Sequence, residues 1–464
     1  MKIRLGYADG QFSKPIRYGG DAHAILVAPT RTGKGRDILI PALFEYEGSC
    51  VVIDPKGQLC AQTAPRRARM GQKIIILNPF KIMRKVLSAG SERFKGVSEK
   101  CDFEATYNPM ETLDPDAESF GADCDSLTDG IVTIEHNREV HWSESAHELI
   151  SGMIMELATN WLPNERNLAT VRRIVAAPNS DLVNFCKVAL ASGNTFSADR
   201  LARFAEEEAK NANEIASIIS TAKTQTKFIS NEAIANSLKT SSFRFSDLRR
   251  EPTTVYVILP TRYLGPCAKW FRLIVASALN ELMREPEEDD LDVLLVADEF
   301  SQLGRMVSVE NAMALAAGYR LQLFIVVQDL TRLKEHYRDA FETFLANAGA
   351  QIYFSPRDVF SMEYISKLAG VVEVATQSTS TSDVTLQQLM HGHSGVNVSI
   401  SDRVRPLLYP HEARQMDEDR MLMFVEGYKG VLQAYRRSYL ETPEFNGMYG
   451  PDPYHLKRKI EGAK

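Results

Sequence analysis

The chain has 464 residues, 44% of them apolar and 25% charged, with a formal net charge of −6; that length implies two or three cooperating units, each able to bury a core, and the composition excludes a disordered or fibrous chain. A negative balance excludes a molecule coated in basic surface, so any nucleic-acid contact has to be local, in a groove or a pore. The six cysteines are scattered, without a C-x-x-C pair or zinc-finger spacing, which excludes a disulfide framework and fits a reducing compartment.

Met1 to Gly10 lacks the apolar core of a signal peptide. The apolar runs fall short of the roughly 20 residues that span a bilayer. As given, the sequence reads as cytoplasmic.

In chain order, "AILVA" (24–28), "CVVID" (50–54) and "KIIIL" (73–77) alternate with helical segments starting near Lys34 and Gln58. Uninterrupted apolar strands separated by helices predict an α/β fold with a mainly parallel sheet covered on both faces. From about Met110 to Arg250 strand patterning gives way to helical spacing, as in "WSESAHELISGMIMELATNWL", where Trp142, Ala146, Leu149, Ile150, Met153 and Leu157 form one stripe. Strands resume at "TTVYVILP" (253–260), followed by a buried helix over 267–283, "VLLVADE" (293–299), "LQLFIVVQ" (321–328) and "AQIYF" (350–354). The expected organisation is residues 1–111 as the first part of a nucleotide-binding domain, 112–250 as an all-α insertion and 251–464 as the second part. Within the last, 284–290 reads as an acidic connector, 372–402, rich in Ser, Thr and Gly, as a mobile loop, and "RMLMFVEG" with "VLQAYRRSY" as an edge hairpin.

Residues Ala28 to Gly35 nearly match a phosphate-binding loop, G-x-x-x-x-G-K-[ST], and lie between a strand and a helix as such a loop requires. The backbone of Thr30, Arg31, Thr32, Gly33, Lys34, Gly35 and Arg36 is expected to wrap the phosphates of a nucleoside triphosphate, with Lys34 on the β- and γ-phosphates. Gly35 stands where Ser or Thr normally places a hydroxyl on Mg²⁺, so weaker or more water-dependent Mg²⁺ binding is expected. Asp298 and Glu299 end a buried strand, where ligands of open α/β sheets bind. Asp298 suits Mg²⁺ through water, and Glu299 suits the attacking water. Gln328 ends the next strand and suits a γ-phosphate sensor or a plain strand end. Arg320, just before that strand, reads either as an arginine finger offered to a neighbouring subunit or as a surface guanidinium. Asp54 and Lys56, at the tip of another strand, organise the site or form a turn salt bridge.

The series "GGDAHAILVAPTRTGKG", "VVIDPKGQ", "LNPF", "YNPM", "HWSESAHELISG", "SDLRREPTTVYVILP", "VADEFSQLGR" and "VVQDLTRLKEHY" resembles the TraG-type coupling ATPases of conjugation and type IV secretion, over roughly residues 15 to 440. The resemblance implies a RecA-like P-loop motor that assembles as a homo-hexamer and uses ATP and Mg²⁺. It also implies delivery of a relaxase-bound single DNA strand or protein effectors to a type IV secretion channel, at the cytoplasmic face of the inner membrane. By matching position it makes Lys34 the phosphate-binding lysine, Asp298 and Glu299 the hydrolytic pair, Gln328 the sensor and Arg320 the finger. A ring pore of this kind binds single strands through local charge and stacking. Candidates here are Arg66, Arg67 and Arg69, and the segment from His391 to Asn397. Gln58 departs from the usual "DPKGE".

Overall fold

The computed structural model describes residues 2–133, 140–205, 212–381, 396–450 and 452–454. Its strands are β1 (Ile3–Tyr7), β2 (Pro15–Tyr18), β3 (His23–Val27), β4 (Ser49–Ile53), β5 (Lys73–Leu77), β6 (Cys101–Asp102), β7 (Thr253–Val257), β8 (Val293–Ala297), β9 (Leu321–Val327), β10 (Ala348–Tyr353), β11 (Val371–Thr381), β12 (Val396–Pro406), β13 (Arg420–Val425) and β14 (Leu432–Tyr435). All but β11 and β12 join one twelve-stranded sheet, in the order β2-β1-β14-β13-β10-β3-β9-β8-β4-β7-β5-β6. From β10 to β6 every pairing is parallel. From β10 outward through β13, β14, β1 and β2 every pairing is antiparallel.

The apolar runs explain the parallel half. Ile25 and Val27 of β3 face one core and Ala24 and Leu26 the other, and Val51 and Ile53 alternate with Cys50 and Val52 in β4 in the same way. A strand buried on both faces tolerates no polar alternation.

Helices α1 (Ile40–Glu45) and α2 (Gln58–Arg69) follow β3 and β4. Seven more occupy the middle of the chain: α3 (Phe120–Asp129), α4 (Val140–Asn160), α5 (Leu168–Ala176), α6 (Asn179–Ala191), α7 (Thr195–Leu201), α8 (Ala212–Gln225) and α9 (Glu232–Ser237). Among the described residues no strand falls between β6 and β7. α4 is the hub of this block, with Leu149, Ile150, Met153, Ile154 and Leu157 wholly buried. α10 (Leu264–Leu282) then returns to the sheet, and its Trp270, Leu273 and Ile274 join the helical block and one sheet face in a single apolar core. Among the described residues the remaining α-helices are α11 (Val307–Leu315), α12 (Leu330–Tyr337), α13 (Phe341–Ala346), α14 (Val359–Ala369) and α15 (Pro410–Arg414).

Two expectations need correction. The described residues of the segment read as a mobile loop, up to Thr381 and from Val396 on, belong to an antiparallel ribbon, β11 with β12, in which Val371 lies opposite Pro406 and Thr381 opposite Val396. In β12, Val396, Val398 and Ile400 alternate at period two with Asn397, Ser399 and Ser401, and β11 is rich in Val and Thr, a pattern that outweighs a composition typical of loops. Residues 391–395 of the candidate DNA-contacting segment lie outside the described residues. The hairpin β13–β14 is internal to the sheet, because β1 pairs with β14 and β2 lies beyond β1. No helix among the described residues is long and apolar enough to cross a membrane.

Candidate nucleotide site

Four strand tips meet at the carboxyl end of the parallel sheet, because β3, β9, β8 and β4 are consecutive neighbours. β3 runs into the loop from Ala28 to Lys34; the Ala28 N–H is bonded to the Val327 carbonyl at 2.9 Å, so the loop's first residue still belongs to the sheet. The loop opens directly into a π-helical turn over Gly35–Leu39 and then α1. Such turns are rare and cluster at functional sites.

Glycine at position 33 is demanded by the backbone. Its φ is +89°, and a Cβ there would lie 2.6 Å from Asp37 Oδ2 and 2.9 Å from Arg36 Nη2. At Gly35, by contrast, a Cβ would meet nothing within 4 Å. The missing hydroxyl is therefore not forced by crowding.

Lys34 Nζ reaches across to the tip of β8, 2.8 Å from Asp298 Oδ1 and 3.0 Å from Glu299 Oε1. Gln328, at the tip of the intervening β9, donates from Nε2 to Glu299 Oε2 at 2.7 Å. Glu299 sits in the left-handed region, φ 57° and ψ 39°, which costs a non-glycine residue roughly 1–3 kcal/mol and is a recurrent feature of functional sites. Burial opposes the Lys34 charge, but the two carboxylates outweigh it and hold the amine above the usual lysine range. Burial likewise opposes ionisation of Glu299, yet Lys34, the Gln328 amide and Lys56 together hold that carboxyl below its ordinary value. Glu299 is thus an anion at neutral pH, with both oxygens oriented. An ammonium has three donors, and two of them are engaged here.

Asp54, at the tip of β4, caps α2: its two oxygens accept from the backbone N–H groups of Gln58 at 3.1 Å and Cys60 at 2.8 Å. Burial pushes its carboxyl up to about 7, with the Asp298 charge adding to the effect and the backbone N–H groups opposing it. Of the two readings of this tip, an organising one and a turn salt bridge with Lys56, the bonds made by Asp54 fit the first.

The other predicted residues separate. Thr30 and Arg31 are exposed at the crest of the loop, Arg31 at φ 62°. The Thr32 hydroxyl donates to the Pro29 carbonyl at 2.7 Å and steadies the loop. The Arg36 guanidinium is held by Asp37, 2.5 Å from Oδ1 and 3.0 Å from Oδ2. Arg320 is not brought to the site. It precedes β9, so it lies at the opposite edge of the sheet from Gln328, with Nη1 donating to the Asp290 carbonyl at 2.5 Å. Arg67 is also misread as a strand contact: it is wholly buried and donates to Thr254 Oγ1 at 2.6 Å and to the carbonyls of Leu43, Tyr46 and Gly48 at 2.7, 2.9 and 2.8 Å. Cys60, Ala64 and Arg67 share a stripe of α2 that faces the core. Arg436 and Asp37, behind the loop, carried no sequence signal of their own.

The residues fit a nucleoside triphosphate and Mg²⁺. The cradle tolerates only glycine at position 33, and Lys34 stands beside two carboxylates. Among the described residues no three His, Cys, Asp or Glu side chains gather as metal ligands. Mg²⁺ is commonly bound by one or two carboxylates, phosphate oxygens and waters, and Asp298 and Glu299 offer two carboxylates beside Lys34.

A mainly parallel sheet with this loop and these carboxylates at its carboxyl edge defines a RecA-like P-loop α/β protein. The chain belongs to the type IV secretory system conjugative DNA transfer family, whose model matches residues 2–87 and 96–451. Protein VirD4 from Rhizobium radiobacter is 27% identical over 90% of this chain, which spans 57% of that relative's length. The conjugal transfer protein TraG from Escherichia coli is 23% identical, covering 98% of this chain and 70% of TraG. Among solved structures, the bacterial conjugative coupling protein TrwBdeltaN70 in its unbound monoclinic form superposes with a TM-score of 0.69 at 14% identity, covering 94% of this chain and 88% of that one. The plasmid coupling protein TrwB in complex with ADP and Mg²⁺ gives 0.63 at 14% identity, over 90% and 85%. The fold is TrwB-like.

Proposed function

We propose that this chain is the ATPase motor of a type IV secretion coupling protein, hydrolysing ATP to recruit and pass a relaxase-bound single DNA strand, protein effectors or both into the secretion channel, as a homo-hexameric ring. The observation that carries the reading is the convergence of Lys34, Asp298, Glu299 and Gln328 from three adjacent strand tips. Family membership supports the secretion context, and TrwB was captured with ADP and Mg²⁺.

In this reading the loop amides and Lys34 bind the β- and γ-phosphates, using the ammonium's third donor or exchanging a carboxylate for phosphate. Asp298 would hold Mg²⁺, which when bound neutralises charge on the phosphates. Glu299 orients the attacking water and takes up its proton; Gln328 fixes the carboxylate that does so.

Steady-state ATP turnover with and without single-stranded DNA tests the motor. Turnover that rises with the strand, and loss of nucleotide binding in Lys34→Ala, are expected. Binding without turnover would favour a nucleotide-gated receptor, the reading that Gly35 keeps open.

A further inference from the structure

The phosphate loop is held from behind by a residue near the other end of the chain. Arg436 follows β14 directly, 404 residues after Thr32, and its Nη1 donates to the Thr32 carbonyl. The same nitrogen lies 3.2 Å from Asp37 Oδ2. The guanidinium stacks over the Phe354 ring at 4.1 Å, and the Arg436 N–H is bonded to the Asp419 carbonyl at 2.8 Å. Arg436 is 7% exposed and Asp37 5%, so both groups act in a poorly solvated space where charge-assisted bonds are strong.

The geometry has a consequence for the cradle. A trans peptide is planar, and its N–H points away from its C=O. Fixing the Thr32 carbonyl on the outside of the loop therefore fixes the Gly33 N–H toward the inside, where a phosphate nest needs its donors. A cation on the carbonyl also polarises that peptide and strengthens the opposite N–H as a donor. Asp37 completes the arrangement: its backbone N–H is bonded to the Gly33 carbonyl at 2.8 Å, and its carboxylate is shared by Arg36 and Arg436.

We infer that Arg436 is a positioning residue which clamps the phosphate loop in its anion-binding conformation, by holding the Thr32 carbonyl and Asp37 from the end of the internal strand β14. The inference rests on the nucleotide reading above for its ligand but not for the clamp itself. Arg436 does not touch the phosphates; it pre-organises the amides that do.

Arg436→Met, Arg436→Lys and Arg4→Met in the full chain test it. Arg4 is a matched control, also buried and tied to Glu45 at the far end of α1 from the loop, to Glu444 and to Tyr7. In nucleotide-free protein, amide hydrogen exchange from Arg31 to Lys34 is expected to quicken about tenfold in Arg436→Met and to stay at the wild-type rate in Arg4→Met. Affinity for ADP with Mg²⁺, read by calorimetry, is expected to fall about tenfold in Arg436→Met, to recover in part in Arg436→Lys and to hold in Arg4→Met. If Arg436→Met does not melt cooperatively, Arg436→Lys carries the same comparison, because the lysine nitrogen stops one bond short of the place from which Nη1 meets both acceptors and has no planar group to stack on Phe354. Wild-type exchange and wild-type affinity in a folded Arg436 variant overturn the clamp, as do equal losses in the Arg4 and Arg436 variants. Quickened loop exchange in a protein whose wild type binds no ADP supports the clamp and rejects the nucleotide reading instead.

Discussion

β9 carries a polar residue beyond each end, and the two have entirely different surroundings. Gln328 follows the strand and donates to the Glu299 carboxylate. Arg320 precedes it and donates to the Asp290 backbone. Seven residues of strand lie between them, a separation of about 26 Å at strand rise. In a parallel sheet the carboxyl edge gathers every strand's outgoing loop, and the amino edge gathers every incoming one. Chemistry assembled at one edge is therefore out of reach of the other within the same chain.

The contrast can be sharpened by removing groups at the carboxyl edge. Glu299→Gln should have the largest effect: it keeps the size and the αL backbone of Glu299 but cannot accept a proton, so turnover should fall roughly 10²- to 10⁴-fold while nucleotide affinity is retained. Single-turnover hydrolysis beside equilibrium binding checks both halves, and an unchanged rate would dismiss Glu299 as the base. Gln328→Ala should follow, with turnover lower by about tenfold, the scale of one lost hydrogen bond to a charged group. If it lowers nucleotide affinity instead and leaves the rate constant, Gln328 binds phosphate and does not steer Glu299.

Much of this edge was legible because the strands are short, apolar and end on polar residues. "AILVA" before Lys34 and "VLLVA" before Asp298 announce both the buried strand and the edge at which its loop emerges. The same logic, carried one step further, would have placed Arg320 at the far edge, since it stands before its strand. Arg67 was also within reach, because it shares a helical stripe with Cys60 and Ala64. Neither Arg436 nor the capping role of Asp54 was legible: one depends on a contact 404 residues away, the other on how deeply the β4 tip is buried. The ribbon of β11 and β12 was hidden by a Ser- and Thr-rich composition that turn chemistry shares with strands.

Asp54 tests whether the fourth tip belongs to the same electrostatic unit. Folded, it keeps its proton up to about 7, against the ordinary aspartate value of 3.8, chiefly through burial. The folded chain then binds an extra proton between those values, so the stability this provides is full below about 4 and is lost as pH rises through about 7. Urea unfolding at pH 5 and pH 8 should show the wild type losing stability relative to Asp54→Asn, by up to a few kcal/mol at about 1.4 per pH unit. A pH-independent difference between the two proteins would mean that the Asp54 carboxyl titrates normally.

The smallest effect is expected at the amino edge. Arg320→Ala removes the bond to the Asp290 carbonyl but keeps a Cβ at φ 53°, so the left-handed backbone is neither relieved nor worsened. Loss of one charge-assisted bond at an exposed position should cost about 1 kcal/mol of stability or less, with nucleotide affinity of the isolated chain unchanged. A loss of affinity matching that of a carboxyl-edge variant would break the contrast between the edges. Mixing decides whether the residue also works between chains. If the amino edge of one subunit faces the nucleotide of the next, Arg320→Ala chains added to wild type should depress turnover beyond their share, because each poisons a neighbour's site. A loss strictly proportional to the fraction of variant would leave Arg320 as a fastener for the Asp290 turn.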